Sequence, residues 1–232
     1  ANKNQHHIIA SNIDQSMLIC TLKQPKTSLG FIDRFLVSCE AYHVPAILVF
    51  NKIDLYNKKD ESIFQEWKHI YETIGYQIRT VSVSTLHGME ALQQLLKNKI
   101  TLLSGHSGVG KSSIINQLFP AFRLRTKSVS DWSGKGMHTT TFAEMYDLPE
   151  GGKIIDTPGI KEFGLVDIDE YEVGHYFPEI RKEMQNCKFN NCLHINETGC
   201  AIKTLLEEGK FSPSRYTSYV TFYEEIKNAK KW

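Results

Sequence analysis

The order of two short segments constrains this chain more than any other feature. Asn51-Lys52-Ile53-Asp54 lies well upstream of Gly105-His106-Ser107-Gly108-Val109-Gly110-Lys111-Ser112. The first has the residues of a loop that reads guanine, the second those of a loop that cradles phosphates. In the usual order the phosphate loop opens such a domain and the base-reading loop follows. A third segment, Asp156-Thr157-Pro158-Gly159, comes last, where a magnesium-side strand end falls if the domain is circularly permuted. One pocket built from two distant stretches is expected, on permuted wiring.

The intervening residues alternate between strand and helix patterns. Apolar runs suited to buried strands occur at Met17–Cys20, Ala46–Phe50, Gln77–Val83, Ile100–Ser104, Phe142–Leu148 and Lys153–Asp156. Helical periodicity falls at Phe31–Tyr42, Glu61–Ile74, Met89–Leu96 and Ser112–Leu118. Such alternation implies an α/β domain with a mainly parallel sheet covered on both faces. Pro149-Glu150-Gly151-Gly152 makes the last two strands an antiparallel hairpin. From residue 165 the strand patterns stop. A small helical domain is expected over 165–232, ending in a helix near Ser214–Asn228, after a nucleotide-binding domain over 12–164.

At a strand-to-helix turn, Gly105 and Gly110 let successive amides converge on phosphate oxygens, helped by the helix N-terminus. Nucleotide contacts are expected along Gly105, His106, Ser107, Gly108, Val109, Gly110, Lys111, Ser112 and Ser113. Lys111 would neutralise the outer phosphates and the Ser112 hydroxyl would ligate Mg2+. Asp54 can accept from both N1–H and the 2-amino group of guanine. Adenine offers neither, so ATP would leave a carboxylate unpaired. Asn51 would tie the loop to its neighbours and the Lys52 stem would cover the base. Ser84-Thr85 offers a backbone amide to guanine O6. Asp156 would hold Mg2+ through water and the Gly159 amide would bond the γ-phosphate, implying GTP and GDP as ligands.

The residue after Gly159 is Ile160, where Ras-like proteins place a water-orienting glutamine. The nucleophile must be positioned otherwise. Gly136-Met137-His138-Thr139-Thr140-Thr141 supplies candidates: Thr140 to complete the magnesium shell, and His138 to order water or take its proton. Both lie at the end of Arg123–Thr140, the longest stretch without periodicity.

Cys187, Cys192, His194 and Cys200 lie within fourteen positions. Three thiolates and an imidazole at this spacing suit a closed, structural Zn2+ site. Cys20 and Cys39 sit in apolar runs and read as small core residues. The odd cysteine count, with no secretion signal, points to a reducing cytoplasm. No apolar run approaches the ~20 residues of a membrane span. Net charge is +1, so nucleic-acid binding would need a local patch. Arg215, Lys227, Lys230 and Lys231 with Tyr216, Tyr219 and Tyr223 form one candidate, although aromatics at helical spacing more often face a core.

The motif order, the Gly-His-Ser-Gly-Val-Gly-Lys-Ser-Ser loop, the Gly-Met-His-Thr-Thr-Thr stretch and the Cys-x4-Cys-x-His-x5-Cys knuckle together resemble one family. It is the circularly permuted, ribosome-small-subunit-dependent GTPases of bacteria (RsgA, also called YjeQ). The resemblance spans essentially the whole chain. It implies a cytoplasmic GTP hydrolase, expected as a monomer, acting in late maturation of the 30S subunit and contacting its rRNA, with turnover stimulated by that subunit. It also implies an aliphatic residue in place of the glutamine, here Ile160, and His138 as the catalytic histidine. Such proteins carry an OB-fold ahead of the GTPase domain, and nothing here corresponds to it. Residues 1–11 are expected to be the linker that follows it, and the chain, beginning with Ala, a piece of a longer protein. A reading of another class is a zinc-supported RNA-binding module holding GTP as a structural ligand.

Overall fold

The computed structural model describes residues 12–122, 124, 144–156 and 168–229. Six strands form one sheet: β1 (Gln15–Cys20), β2 (Ala46–Phe50), β3 (Gln77–Thr80), β4 (Ile100–Ser104), β5 (Glu144–Asp147) and β6 (Lys153–Asp156). Their spatial order is β3-β2-β1-β4-β6-β5. Every pairing is parallel except that of β5 with β6. The expected mainly parallel sheet and terminal hairpin are therefore both present. The central strand β1 is buried along its whole length, as befits a parallel strand covered on both faces.

The strand expected over Gln77–Val83 ends early, at Thr80. The Val81 amide still donates to the Phe50 carbonyl at 2.8 Å, but the Ser82 amide turns to the His87 carbonyl at 3.0 Å. The chain thus leaves the ladder to build a loop. Seven helices are described: α1 (Leu29–Ala41), α2 (Lys58–Thr73), α3 (Met89–Leu96), α4 (Lys111–Leu118), α5 (Pro178–Glu183), α6 (Ala201–Glu207) and α7 (Pro213–Ala229). The first begins at Ser28, whose hydroxyl accepts the Phe31 amide at 3.2 Å, satisfying one of the helix's unpaired donors.

The described residues divide between two compact units. One is drawn from Ala1–Lys26, Val44–Phe64 and Gln77–Lys161, the other from Thr27–His43, Gln65–Tyr76 and Glu162–Trp232. The first holds the sheet. Met17 and Ile19 of β1, Ile47 and Val49 of β2, Leu103 and Ile154 meet Met89, Leu92 and Leu96 of α3 and Ile114 and Ile115 of α4 in one core. The alternate residues that supply it follow the strand period of two.

The second unit is helical, with a core of Val37, Phe177, Ile180, Ile202, Phe211, Tyr219, Phe222 and Ile226. It also holds a buried ion network. The Arg215 guanidinium donates to Asp33 at 2.9 Å and to both carboxylate oxygens of Glu179 at 2.6 and 3.1 Å. Tyr71 and Ser218 donate further hydroxyls to Asp33, at 2.8 and 2.5 Å. Phe177 lies under the guanidinium, 4.5 Å from its carbon to the ring centroid. Among the described residues no helix is long and apolar enough to cross a membrane.

Candidate active site and metal centre

Parallel register brings the carboxyl ends of five strands to one edge of the sheet. Cys20 stands opposite Phe50, Phe50 opposite Thr80, Leu18 opposite Ser104 and Leu103 opposite Asp156. The chain winds outward from β1 to β2 and β3 on one side, and from β4 to β6 on the other. The switch point therefore falls between β1 and β4, where open α/β sheets bind ligands.

The loop 105–110 leaves β4 at this point and runs into α4. Val109 is fully buried in the core below and anchors it. Gly110 sits at φ +101°, and a Cβ there would lie 2.4 Å from Asn51 Nδ2. Glycine is thus required both by the backbone angle and by the close approach of Asn51. Lys111 donates Nζ to the Gly105 carbonyl at 2.7 Å. Burial pushes its pKa down, opposed by the nearby Asp156. Burial lowers the pKa of His106 too, aided by the Lys111 charge. Ser112 and Ser113 occupy the first turn of α4, half-buried.

Residues 51–54 follow β2 and close directly on this loop. Buried Asn51 donates Nδ2–H to the Val109 carbonyl at 2.9 Å. Lys52, at φ +62°, donates Nζ to the Gly108 carbonyl at 2.8 Å and to the Gln24 carbonyl. Asp54 accepts from the Ser82 hydroxyl at 2.6 Å, the short distance of a charge-assisted bond. That bond is the main cause of a lowered Asp54 pKa. Ser82 is fully buried. It lies 3.0 Å from the Ser84 hydroxyl and accepts the Thr85 amide at 3.2 Å. Ser84 and Thr85 are thereby folded toward Asp54, both exposed.

Sequence reasoning missed Ser82 and the Gln24-Pro25 turn that receives Lys52. Ser82 falls inside the expected strand Gln77–Val83, whereas the strand itself ends two residues before it, at Thr80. A fully buried hydroxyl in that run is the signal that it has a partner.

On the magnesium side, Asp156 ends β6 and is half-buried. Burial raises its pKa, opposed by the Lys111 charge. Its Oδ1 is buried without a hydrogen-bond partner among the described residues. A buried, unpaired carboxylate oxygen beside a phosphate loop fits a hydrated Mg2+. His138, Thr140, Gly159 and Ile160 lie outside the described residues, as does nearly all of Arg123–Thr140.

The four metal-ligand candidates meet. The ligand atoms of Cys187, Cys192, His194 and Cys200 all lie within 4.8 Å of one another. His194 Nδ1 is 3.5 Å from Cys187 Sγ and 3.4 Å from Cys200 Sγ. Tetrahedral Zn2+ with bonds of about 2.0–2.3 Å sets ligands about 3.5–3.8 Å apart, so the donor set fits that ion. Burial, foremost, pushes the Cys192 thiol up to about 12.

The aromatic and basic residues of the last helix separate differently. Arg215, Tyr219 and Tyr223 are buried, Arg215 within its ion network, so they form no exposed RNA-gripping patch. Tyr216 donates its hydroxyl to the His194 carbonyl at 2.7 Å. Cys20 and Cys39 are buried core residues, as expected.

The chain is similar to several known proteins. Small ribosomal subunit biogenesis GTPase RsgA of Flavobacterium psychrophilum is 52% identical over 223 residues, covering 95% of this chain and 68% of that protein. The protein of the same name in Cytophaga hutchinsonii is 54% identical over 222 residues, covering 94% and 71%. The crystal structure of YjeQ from Thermotoga maritima matches with a TM-score of 0.78 and 36% identity, over 93% of this chain and 72% of that one. YloQ, a circularly permuted GTPase, matches with a TM-score of 0.77 and 34% identity, over 94% and 69%. The YloQ match agrees with the inverted motif order, and the RsgA GTPase family model covers residues 1–166. With residues 51 and 52 bonded to the glycine-rich loop at the carboxyl edge of this sheet, and the family model matching most of its length, the chain belongs to the RsgA GTPase family.

Proposed function

We propose that this chain hydrolyses GTP to GDP and phosphate in the cytoplasm, during late maturation of the small ribosomal subunit, with that subunit as its activating partner. One observation carries the nucleotide reading. Asn51 and Lys52 donate to the carbonyls of Val109 and Gly108, so the purine and the triphosphate tail share a single pocket. The relatives named small ribosomal subunit biogenesis GTPases support the partner.

In this reading Asp54 accepts from N1–H and the 2-amino group of guanine, oriented by Ser82. The Lys52 stem covers the base, and the loop at Ser84-Thr85 approaches O6. The amides of residues 105–113 surround the phosphates and Lys111 neutralises charge on the outer ones. Ser112, Asp156 and Thr140 hold Mg2+, directly or through water. When bound, that ion neutralises charge on the β- and γ-phosphates. The Gly159 amide bonds the γ-phosphate. His138 orders the attacking water and accepts its proton in place of the glutamine that Ile160 replaces. Cys187, Cys192, His194 and Cys200 hold a structural Zn2+, and the chain acts on the subunit and its rRNA as a monomer.

Phosphate release from GTP, measured with and without purified small subunits, tests this. Turnover that rises with added subunits is expected. Tight GTP binding with no turnover under either condition would overturn the enzymatic reading.

A further inference from the structure

The turn that carries His194 is held by groups that are not metal ligands. The Leu193 amide donates to Glu197 Oε1 at 3.0 Å, and the Ile195 and Asn196 amides donate to Glu197 Oε2 at 2.9 and 3.0 Å. One carboxylate thus collects three backbone donors flanking the histidine. The carbonyls of the same turn point the other way, into α7. Tyr219 donates its hydroxyl to the Leu193 carbonyl at 2.6 Å and Tyr216 to the His194 carbonyl at 2.7 Å.

His194 itself has φ +58°, a backbone conformation uncommon for a residue with a Cβ. Left alone, this turn would relax toward a commoner conformation and swing the imidazole away. Held as it is, Nδ1 stands 3.4 and 3.5 Å from two of the cysteine sulfurs. Five hydrogen bonds from outside the donor set therefore hold the turn that carries the imidazole. Groups that orient metal-bound histidines alter affinity without touching the ion.

We infer that Glu197, Tyr216 and Tyr219 are positioning residues for His194, so that metal capture and the docking of α7 are one linked equilibrium. This rests on the zinc reading of the Cys3His cluster. Two of the three clamps are α7 side chains on its inward face. Anything that lifts α7 loosens the imidazole, and an ion on the imidazole resists the lifting.

Zinc affinity of the full chain, by competition with a chromogenic chelator at fixed pH, tests the inference. Glu197→Ala and the pair Tyr216→Phe with Tyr219→Phe should each weaken zinc binding about ten- to a hundredfold. Glu197→Gln, which keeps one good acceptor, should fall between Glu197→Ala and the unaltered chain. Cobalt substituted for zinc supplies a readout that general loosening does not mimic. The visible bands of the tetrahedral site should change in the variants toward those of His194→Ala. Hydrogen exchange over 213–229 should quicken when zinc is stripped from the unaltered chain. Variants that bind zinc within twofold of the unaltered chain, or α7 exchange indifferent to zinc, would overturn the clamp alone. An unaltered chain that retains no stoichiometric zinc would overturn the metal reading and the clamp with it.

Discussion

Replacing Ser82 with alanine removes the main contact to Asp54, the carboxylate proposed to read guanine. The hydroxyl is fully buried, donates to Asp54 at 2.6 Å and accepts the Thr85 amide at 3.2 Å. A hydrogen bond to a charged group contributes about 1.5–3 kcal/mol, whereas a carboxylate open to solvent recovers part of that from water. Asp54 is exposed, so the expected net loss is about 1–1.5 kcal/mol, or roughly five- to tenfold in affinity. Isothermal titration with GDP and with IDP measures it. IDP lacks the 2-amino group and offers Asp54 one donor fewer, so the preference for GDP over IDP should shrink in Ser82→Ala. Phosphate contacts are common to both ligands and cancel in that ratio. A variant that binds GDP as tightly as the unaltered chain, with an unchanged GDP to IDP ratio, would refute the orienting role.

The same bond has a pH signature. It lowers the Asp54 pKa, so guanine binding should persist above that lowered value and fail as pH falls through it. Ser82→Ala should move the failure to higher pH, read from GDP affinity across the acid range. Gly110→Ala would set a Cβ 2.4 Å from Asn51 Nδ2 at φ +101° and should abolish measurable GDP binding while the zinc content stays the same. His138→Ala should lower turnover in the presence of small subunits with GTP affinity unchanged; equal turnover would remove it from the mechanism. Arg215→Met leaves Asp33 and Glu179 without their shared cation and should cost about 3–5 kcal/mol in urea unfolding. A loss below about 1 kcal/mol would mean that water reaches the pair and that burial of the network is overstated.

Much of this architecture was legible because the signals were redundant. Ala46–Phe50, Ile100–Ser104 and Lys153–Asp156 read as strands and are strands with those bounds. Each has an apolar centre, continuous over the whole of Ala46–Phe50, as a doubly covered parallel sheet demands. The loops that follow two of them carry glycine or Asn-Lys-x-Asp at positions where few other residues serve. What escaped the sequence were contacts between residues that are separately unremarkable. Ser82 meets Asp54 only because β2 and β3 run side by side. Arg215 looked like a surface cation at the start of a basic helix. Its burial depends on Asp33 and Glu179, 182 and 36 residues upstream, and spacing along one helix carries no trace of such a partner. Tyr216 and Tyr219 were read as core or base-stacking aromatics, yet their hydroxyls hold a metal-ligand turn. Tyrosine at an interior boundary needs a partner for its hydroxyl, and the sequence does not name it.

Inverting the motif order leaves the pocket intact because the pocket is a property of one sheet edge and not of chain direction. All five parallel strands deliver their carboxyl ends there in register. The loops then meet whichever strand is synthesised first. What chain order does change is the identity of the segments that enter and leave the edge. The turn after β1 receives Lys52 at the Gln24 carbonyl and runs on within a few residues into α1, which carries Asp33 of the buried network. The strand that ends at Asp156 likewise precedes the last and longest segment of the helical unit, Glu162–Trp232. The chain thus passes from the sheet unit into the helical unit three times, after Lys26, after Phe64 and after Lys161. In a domain that opened on the phosphate loop, the segment after Asp156 would lead instead to β1 and back into the same sheet.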